Sequence, residues 1–476
     1  MTRPKTILVL TATTALVAWA ATAVRARDVP KVATGFVANV LCSETFVSGL
    51  DPERDFAETT AAMPGAGLIS WAMDYRVDRV RKDVTVSLFG LGRSHAVYRG
   101  ELGCYLDHGD ARADMAPASV DKPQAPLLPE IAGPSVVAPQ SEALAAALDR
   151  AFAEPSSPPF KRTRAVVAVK DGRIIAERYA GGIGIDTPLL GFSSTKSVIA
   201  ALTGILVKQG KLKLDQGAPV AAWQKPDDPR HAITVDQLLR HTAGLALGSS
   251  LQASLGAALE PVNRMKFMET DMAAFAGAAR LETPPGRIWN YHDGNYLILS
   301  RLILDAVGGT PADFLRFAQQ ELFAPLGMRH VTLEFDGAGT PEGSSQMLAS
   351  ARDWARFGLL YLNDGVVGGK RILPEGWVKY SASPTPAAFV GYGAGFWTNL
   401  GDSMGAHYRI QNGWPRDAFF AKGSIGQYVI VIPSQRLVIV RLGRTVNWPL
   451  DADGVSQLVS DVVAATSDKA RLAGSN

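Results

Sequence analysis

The sequence predicts an α/β protein of the α+β kind. It reads as an antiparallel sheet flanked by helices, a mainly helical lobe, and a small β-containing N-terminal unit. Three observations predict this. Two strong hairpin patterns lie far apart, near residues 165–177 and 428–441. Helical periodicity fills the stretch between them. A Pro/Ala-rich segment separates all of this from the first quarter of the chain. The 476 residues are 47% hydrophobic and 20% charged, so the bulk of the chain folds around a core and is not intrinsically disordered. Net charge is +3, from 48 basic and 45 acidic residues, and no basic stretch is interleaved with aromatics. A nucleic-acid partner is therefore not expected. Two cysteines exclude a disulfide scaffold and a four-cysteine zinc site, and the seven histidines form no HExxH. No metal and no cofactor are expected.

Taken in order, residues 1–26 come first. Arg3 and Lys5 precede an apolar run over 7–24, with small residues at Ala21, Ala23 and Ala26. An export signal fits this pattern. A buried helix and an uncleaved anchor, with Arg25 and Arg27 behind it, remain open. Export to the periplasm or beyond implies an oxidising compartment, in which Cys42 and Cys104 could bond. Residues 27–115 read as a small accessory region with strands near 84–89 and 96–98. Residues 116–140 hold six prolines and read as a linker or extended arm. The main domain runs over 141–468, and 469–476 form a tail. Within it the patterns predict helices at 144–152, 194–208, 236–240, 295–306, 351–362 and 455–464. Gly210 would close the second of these and Gly308-Gly309 the fourth. The two hairpins build one sheet from both ends of the domain, and the central helices form a second lobe with the site between.

The chemistry-bearing residues begin with Ser193-Ser194-Thr195-Lys196. An S-x-x-K is common by chance, and Ser119-Val120-Asp121-Lys122 in the linker is another. Context separates them. Ser193 opens a helix that is apolar around most of its circumference, so that helix is buried. Residues i and i+3 share a face, which brings Lys196 beside Ser193. The helix N-terminus favours a developing oxyanion there. Burial would ease proton loss from Lys196, and a serine hydroxyl needs such a base. Tyr291, in the turn before the 295–306 helix, can point into a cleft and share the proton relay if positive charge lowers its pKa from about 10. Gly423, beside Ser424 at a strand edge, would let a backbone N–H approach and pair with that of Ser193 as an oxyanion hole.

The ordered set Gly191-Phe192-Ser193-Ser194-Thr195-Lys196-Ser197, the block 233–245, Pro285-Gly286…Tyr291 and Gly423…Gly426-Gln427-Tyr428 resembles the serine β-lactamase and penicillin-binding-protein superfamily. It looks closest to the class C-like branch with its esterases and 6-aminohexanoate-dimer hydrolases. The resemblance implies an acyl-enzyme mechanism. Ser193 attacks a carbonyl, Lys196 and Tyr291 relay the proton, and N–H groups of Ser193 and a residue near Ser424 hold the oxyanion. The 233–245 block is read as structural, with His241 a packed residue and not a triad base.

Two departures from the family pattern matter. Tyr-x-Asn is here Tyr291-His292-Asp293, and the Asp293 charge would hold Lys196 protonated. Lys-Thr/Ser-Gly is here Ala421-Lys422-Gly423, which shifts Lys422 to the other side of the strand and removes the expected carboxylate-binding arrangement. Both point to small-molecule or short-peptide amides and esters. The competing readings are a non-catalytic binder of peptidoglycan or peptides and a weak β-lactamase. A nucleophile elbow is excluded, since no G-x-S-x-G occurs.

Overall fold

The computed structural model describes residues 28–62, 69–112, 125–251, 258–445 and 454–467. The export-signal segment and the Ser119–Lys122 motif lie outside them. The chain opens with α1 (Val29–Phe46) and α2 (Pro52–Ala62), neither of which the sequence pattern predicts. The antiparallel sheet β1 (Met73–Asp78), β2 (Asp83–Leu88), β3 (Leu91–Tyr98), β4 (Cys104–Leu106) follows, in that spatial order. Val84 and Val86 of β2 and Ala96 of β3 meet Val37 and Leu41 of α1 in a small core. Cys42 and Cys104 are disulfide-bonded, which ties α1 to β4.

The predicted linker is an arm in its described half. Leu128 and Ile131 are buried in the main core, and the Leu127 N–H donates to the Pro325 carbonyl. It leads into α3 (Glu142–Phe152), N-capped by Ser141. The hairpin β5 (Thr163–Lys170), β6 (Arg173–Tyr179) follows, then the short β7 (Leu189–Leu190) and the buried helix α4 (Thr195–Lys208). The helical lobe comprises α5 (Val235–Leu239), α6 (Pro261–Met268), α7 (Met272–Ala278), α8 (Gly294–Val307) and α9 (Pro311–Ala318). Strands β8 (Val331–Leu333) and β9 (Met347–Ala349) pair in a three-stranded sheet with β7, and α10 (Ala351–Leu362) returns the chain to the main sheet. The remaining elements are β10 (Val366–Val367), β11 (Lys370–Arg371), α11 (Trp377–Ala382), β12 (Trp397–Thr398), α12 (Met404–Gln411), β13 (Phe419–Gly423), β14 (Gln427–Ile432), β15 (Leu437–Gly443) and α13 (Val455–Thr466).

The main sheet has the order β12-β13-β14-β15-β5-β6 and is antiparallel throughout. Its first hairpin and its last strands meet at β15–β5, so both ends of the domain close one sheet. Strand alternation explains the layers. Val166 and Ala168 face α3 and α13 through Leu148 and Val459, while Val167 and Val169 face the core that holds α4 and α10. Gly358 of α10 lies so close to β15 that a Cβ would come within 2.6 Å of Val438. That contact seats α10 on the sheet.

The N-terminal unit is not a loosely tethered accessory. Glu44 of α1 hydrogen-bonds Arg164 of β5 at 2.8 Å and also pairs with Arg444. Arg164 further pairs with Asp55 and, at 2.7 Å, with Glu58. Burial opposes the Glu44 charge, but the two guanidiniums outweigh it and hold its pKa down at about 2. Burial and the neighbouring Glu44 charge push Asp55 up to about 7.

Candidate active site

The site is assembled where α4 begins. Ser193 lies in a 3-10 turn, Phe192–Ser194, just ahead of α4, and not in the α-helix itself. Phe192 has φ 45°, a left-handed conformation that a bulky residue adopts only under constraint. The constraint is packing: Phe192 sits among Val40 of α1, Leu190 and Leu348, with Ile425 of the β13–β14 turn against them. The Arg444 guanidinium carbon stands 5.4 Å from the Phe192 ring centre. This holds the turn so that Ser193 stays part-exposed while its neighbours are buried.

Lys196, 1% exposed, reaches Ser193 Oγ at 3.0 Å, Asp293 Oδ1 at 2.5 Å and the Ser344 carbonyl at 2.7 Å. Tyr291 is buried beside them, with the Lys196 ammonium 5.0 Å from its ring centre, so the phenol feels that charge. Ser193, Lys196, Tyr291 and Asp293 are thus brought together. Residues 241–244 hold the Tyr291 turn, because the carbonyls of His241, Thr242 and Gly244 accept from Asn290, Gly286 and Glu282. Gly244 is required there, since a Cβ would come within 2.2 Å of the Thr283 carbonyl oxygen. The 233–245 block therefore works through backbone bonds, as a brace. His241 is packed against Tyr291 with ring centres 4.3 Å apart, and burial holds its pKa well below the usual range. Burial lowers His292 to about 4, so both imidazoles are neutral at neutral pH.

One expectation about proton affinity is corrected. Burial alone would strip the Lys196 proton, but the Asp293 carboxylate, as its charge implies, overrides it and raises the Lys196 pKa. The Tyr291 pKa, by contrast, is not lowered. Burial raises it, and the Lys196 cation pulls it back only in part. The resting site is therefore an ammonium, a neutral phenol and a carboxylate. Asp293 is held well below the usual carboxylate range despite its burial, because Lys196 and Lys266 both face it.

The strand-edge residues divide. Gly423 approaches the Ser193 turn so closely that a Cβ would sit 2.1 Å from the Gly191 carbonyl oxygen. Ser424 is exposed in the tight turn between β13 and β14, which Ile425 ties to Phe192. Lys422 faces away from Gly423, with its ammonium 5.3 Å from the Trp397 ring and 5.4 Å from the Tyr428 ring. Trp397 in turn lies 5.9 Å from Tyr291, ring centre to ring centre.

Four further residues belong to the cluster. Lys266 meets Asp293 Oδ2 at 3.2 Å and Ser345 Oγ at 2.5 Å. Ser344 and Ser345 donate to the two oxygens of Glu342 at 2.5 and 3.1 Å. No spacing in the sequence marks Lys266. Pro341-Glu342-Gly343-Ser344 carries one weak signal, its glycine: the loop threads between α4 and α8, and a Cβ on Gly343 would meet Ser300 Oγ at 2.3 Å. Among the described residues no group of histidines, cysteines and carboxylates is arranged to hold a metal ion, and no helix is long and apolar enough to cross a membrane.

The main sheet, the helical lobe and the site at their junction make this a serine β-lactamase-like fold. The chain belongs to the Beta-lactamase family, whose profile matches residues 161–464. It is 25% identical over 289 residues to PbpX of Bacillus subtilis (strain 168), which its name places among penicillin-binding proteins; the match covers 55% of this chain and 66% of that relative. A Bacillus anthracis structure named for 6-aminohexanoate-dimer hydrolase superposes with a TM-score of 0.54 at 20% identity, covering 65% of this chain and 80% of that one. A family VIII carboxylesterase gives 0.53 at 16% identity, covering 69% and 98%.

Proposed function

We propose that this protein is a serine hydrolase that acts through an acyl-enzyme on amide or ester bonds of small molecules or short peptides. One observation carries the reading: a part-exposed Ser193 hydroxyl lies 3.0 Å from the buried Lys196 amine, which in turn stands 5.0 Å from the Tyr291 ring centre. A serine needs a partner to take its proton before it attacks. Ser193 Oγ adds to the carbonyl while its proton passes to the Lys196–Tyr291 pair, which then delivers it to the leaving alcohol or amine. Water repeats the sequence and frees the acid. The Ser193 N–H and the Gly423–Ser424 edge are assigned the oxyanion.

Because both Lys196 and Tyr291 hold their protons tightly, the base is the pair after loss of one shared proton. Acylation therefore rises with pH into the alkaline range. The Lys422 ammonium lies over the Trp397 and Tyr428 rings, which supports neutral esters and amides over β-lactams. The Cys42–Cys104 disulfide supports export to an oxidising compartment.

A panel of short esters, linear amides and β-lactams tests this with wild type and Ser193→Ala. Turnover of esters or amides that disappears in Ser193→Ala is the expected result. Fast nitrocefin turnover would overturn the substrate assignment. Acyl transfer unchanged in Ser193→Ala would overturn the mechanism. A non-catalytic binder, which the tightly held protons favour, would bind the panel without turnover.

A further inference from the structure

We propose that Lys266 is a positioning residue for the Ser193 site: it grips Asp293 from the far side and so sets how firmly Lys196 and Tyr291 keep their protons. The inference rests on the acyl-enzyme reading. Its basis is a closed ring of polar contacts. Lys196 donates to Asp293 Oδ1, and Lys266 pairs with Asp293 Oδ2. Lys266 donates to Ser345 Oγ, and Ser345 donates to Glu342. Ser344 donates to the other Glu342 oxygen, and its carbonyl accepts from Lys196. Two cations and two carboxyl groups therefore share one buried ring. Asp293 is 6% exposed and Glu342 3%.

A second cation beside the same anion adds a positive potential of its own, which offsets part of the anion's pull on the first. Asp293 also stands at the N-terminal end of α8, where the helix dipole favours its negative form. Lys196 sits in the first turn of α4, where the helix dipole disfavours a cation. Asp293 is thus the group that keeps Lys196 charged, and Lys266 tempers how strongly it does so. The other groups facing Lys266 are few. Glu342 lies 3.8 Å away, and Tyr105, Glu269 and Asp336 line the same crevice. Arg264 of its own helix is engaged with Glu269 and Asp28.

The N-terminal unit delivers this lysine. Lys266 rides on α6, whose next residue, Phe267, is buried in the core of the N-terminal unit. Gly35 of α1 lies against it so closely that a Cβ would come within 2.9 Å of Phe267 Cβ, and Phe36 meets the Phe267 ring edge-on at 5.8 Å. The unit outside the 161–464 family match thereby fixes where a charge stands inside the site.

The test is the pH dependence of p-nitrophenyl butyrate hydrolysis by the full chain. Lys266→Met should move the alkaline limb of kcat/KM upward by about 1 pH unit, because the positive potential of Lys266 no longer opposes the Lys196 proton. Asp293→Asn should move it downward, and the double variant should fall between the two. Lys266→Arg, which keeps the cation, should retain the wild-type limb. If Met leaves too little folded protein, Lys266→Gln carries the same prediction. A limb that ignores Lys266→Met or Lys266→Gln, or that shifts equally in Lys266→Arg, overturns the inference. Those outcomes are separable from failure of the acyl-enzyme reading, which shows as ester hydrolysis unchanged in Ser193→Ala.

Discussion

Arg164→Met probes the contact between the N-terminal unit and the main sheet. The Arg164 side chain is 4% exposed and faces Glu44 at 1%, Asp55 at 1% and Glu58 at 14%. Removing it leaves Glu44 and Asp55 with Arg444 as their remaining cation, and Glu58 with the half-exposed Arg54. Breaking a buried pair by deleting one partner costs about 3–5 kcal/mol, because the surviving charge stays buried without compensation. The loss should depend on pH. In the variant the orphaned carboxyls have folded pKa values above their unfolded ones. Their penalty is absent below the unfolded carboxylate range, about pH 4, and grows as pH rises through the folded values. Urea unfolding of wild type and variant at pH 5 and pH 8, followed by tryptophan fluorescence, should show the larger deficit at pH 8. A deficit below about 1 kcal/mol, or one equal at both pH values, would refute the reasoning.

Three further outcomes follow from the same geometry. Gly423→Ala brings a Cβ to 2.1 Å from the Gly191 carbonyl oxygen, so the strand edge must retreat. Labelling by a fluorophosphonate should fall about tenfold or more while the chain stays folded; overpacking of this kind costs about 1–3 kcal/mol. Wild-type rates would contradict the close approach. The Cys42→Ala/Cys104→Ala variant loses a cross-link spanning 62 residues, and its unfolding free energy should drop by about 2–4 kcal/mol; two titratable thiols on the native protein would remove the premise. Glu334 accepts from Ser43 Oγ and the Cys104 N–H, yet burial lifts its pKa to about 8. Its stabilising contribution is full below the unfolded carboxylate range and is lost as pH rises through about 8. Glu334→Gln should therefore lose less stability than wild type between pH 5 and 8.5, and parallel profiles would count against the buried acid.

What was legible in the sequence follows from where each residue finds its partners. Residues 351–362 carry their apolar side chains at helical spacing, with few polar residues among them after Arg356, so their pattern marks α10 to the residue. The hairpins around Lys170-Asp171-Gly172 and Pro433–Gln435 announce themselves by turn chemistry. Helix α1 does not, because it buries every face. Thr34, Asn39, Ser43 and Glu44 are enclosed beside Val37 and Leu41, leaving no apolar stripe. The polar atoms of Asn39, Ser43 and Glu44 pair with Gln346, Glu334 and Arg164, some 120 to 307 residues away, which no local window detects.

The site shows the same division. Ser193 and Lys196 share a helical turn and are visible as a motif, and Tyr291 and Asp293 follow from the resemblance. Lys266 and Glu342 reach the cluster only once α6 has docked on α1 and the Gly343 loop has threaded between α4 and α8. The Asp293 charge marks Lys196 as an ammonium from the sequence alone, whereas the Tyr291 proton affinity is hidden there, because burial outweighs the Lys196 cation.

A serine hydrolase of this kind must become covalently acylated on Ser193. Treating the native chain with a fluorophosphonate and mapping the adduct by peptide mass spectrometry tests this directly. The predicted result is one adduct per chain, on Ser193, formed far more slowly in Lys196→Ala and Tyr291→Phe. An adduct on another residue, or labelling that persists undiminished in Ser193→Ala, would contradict it.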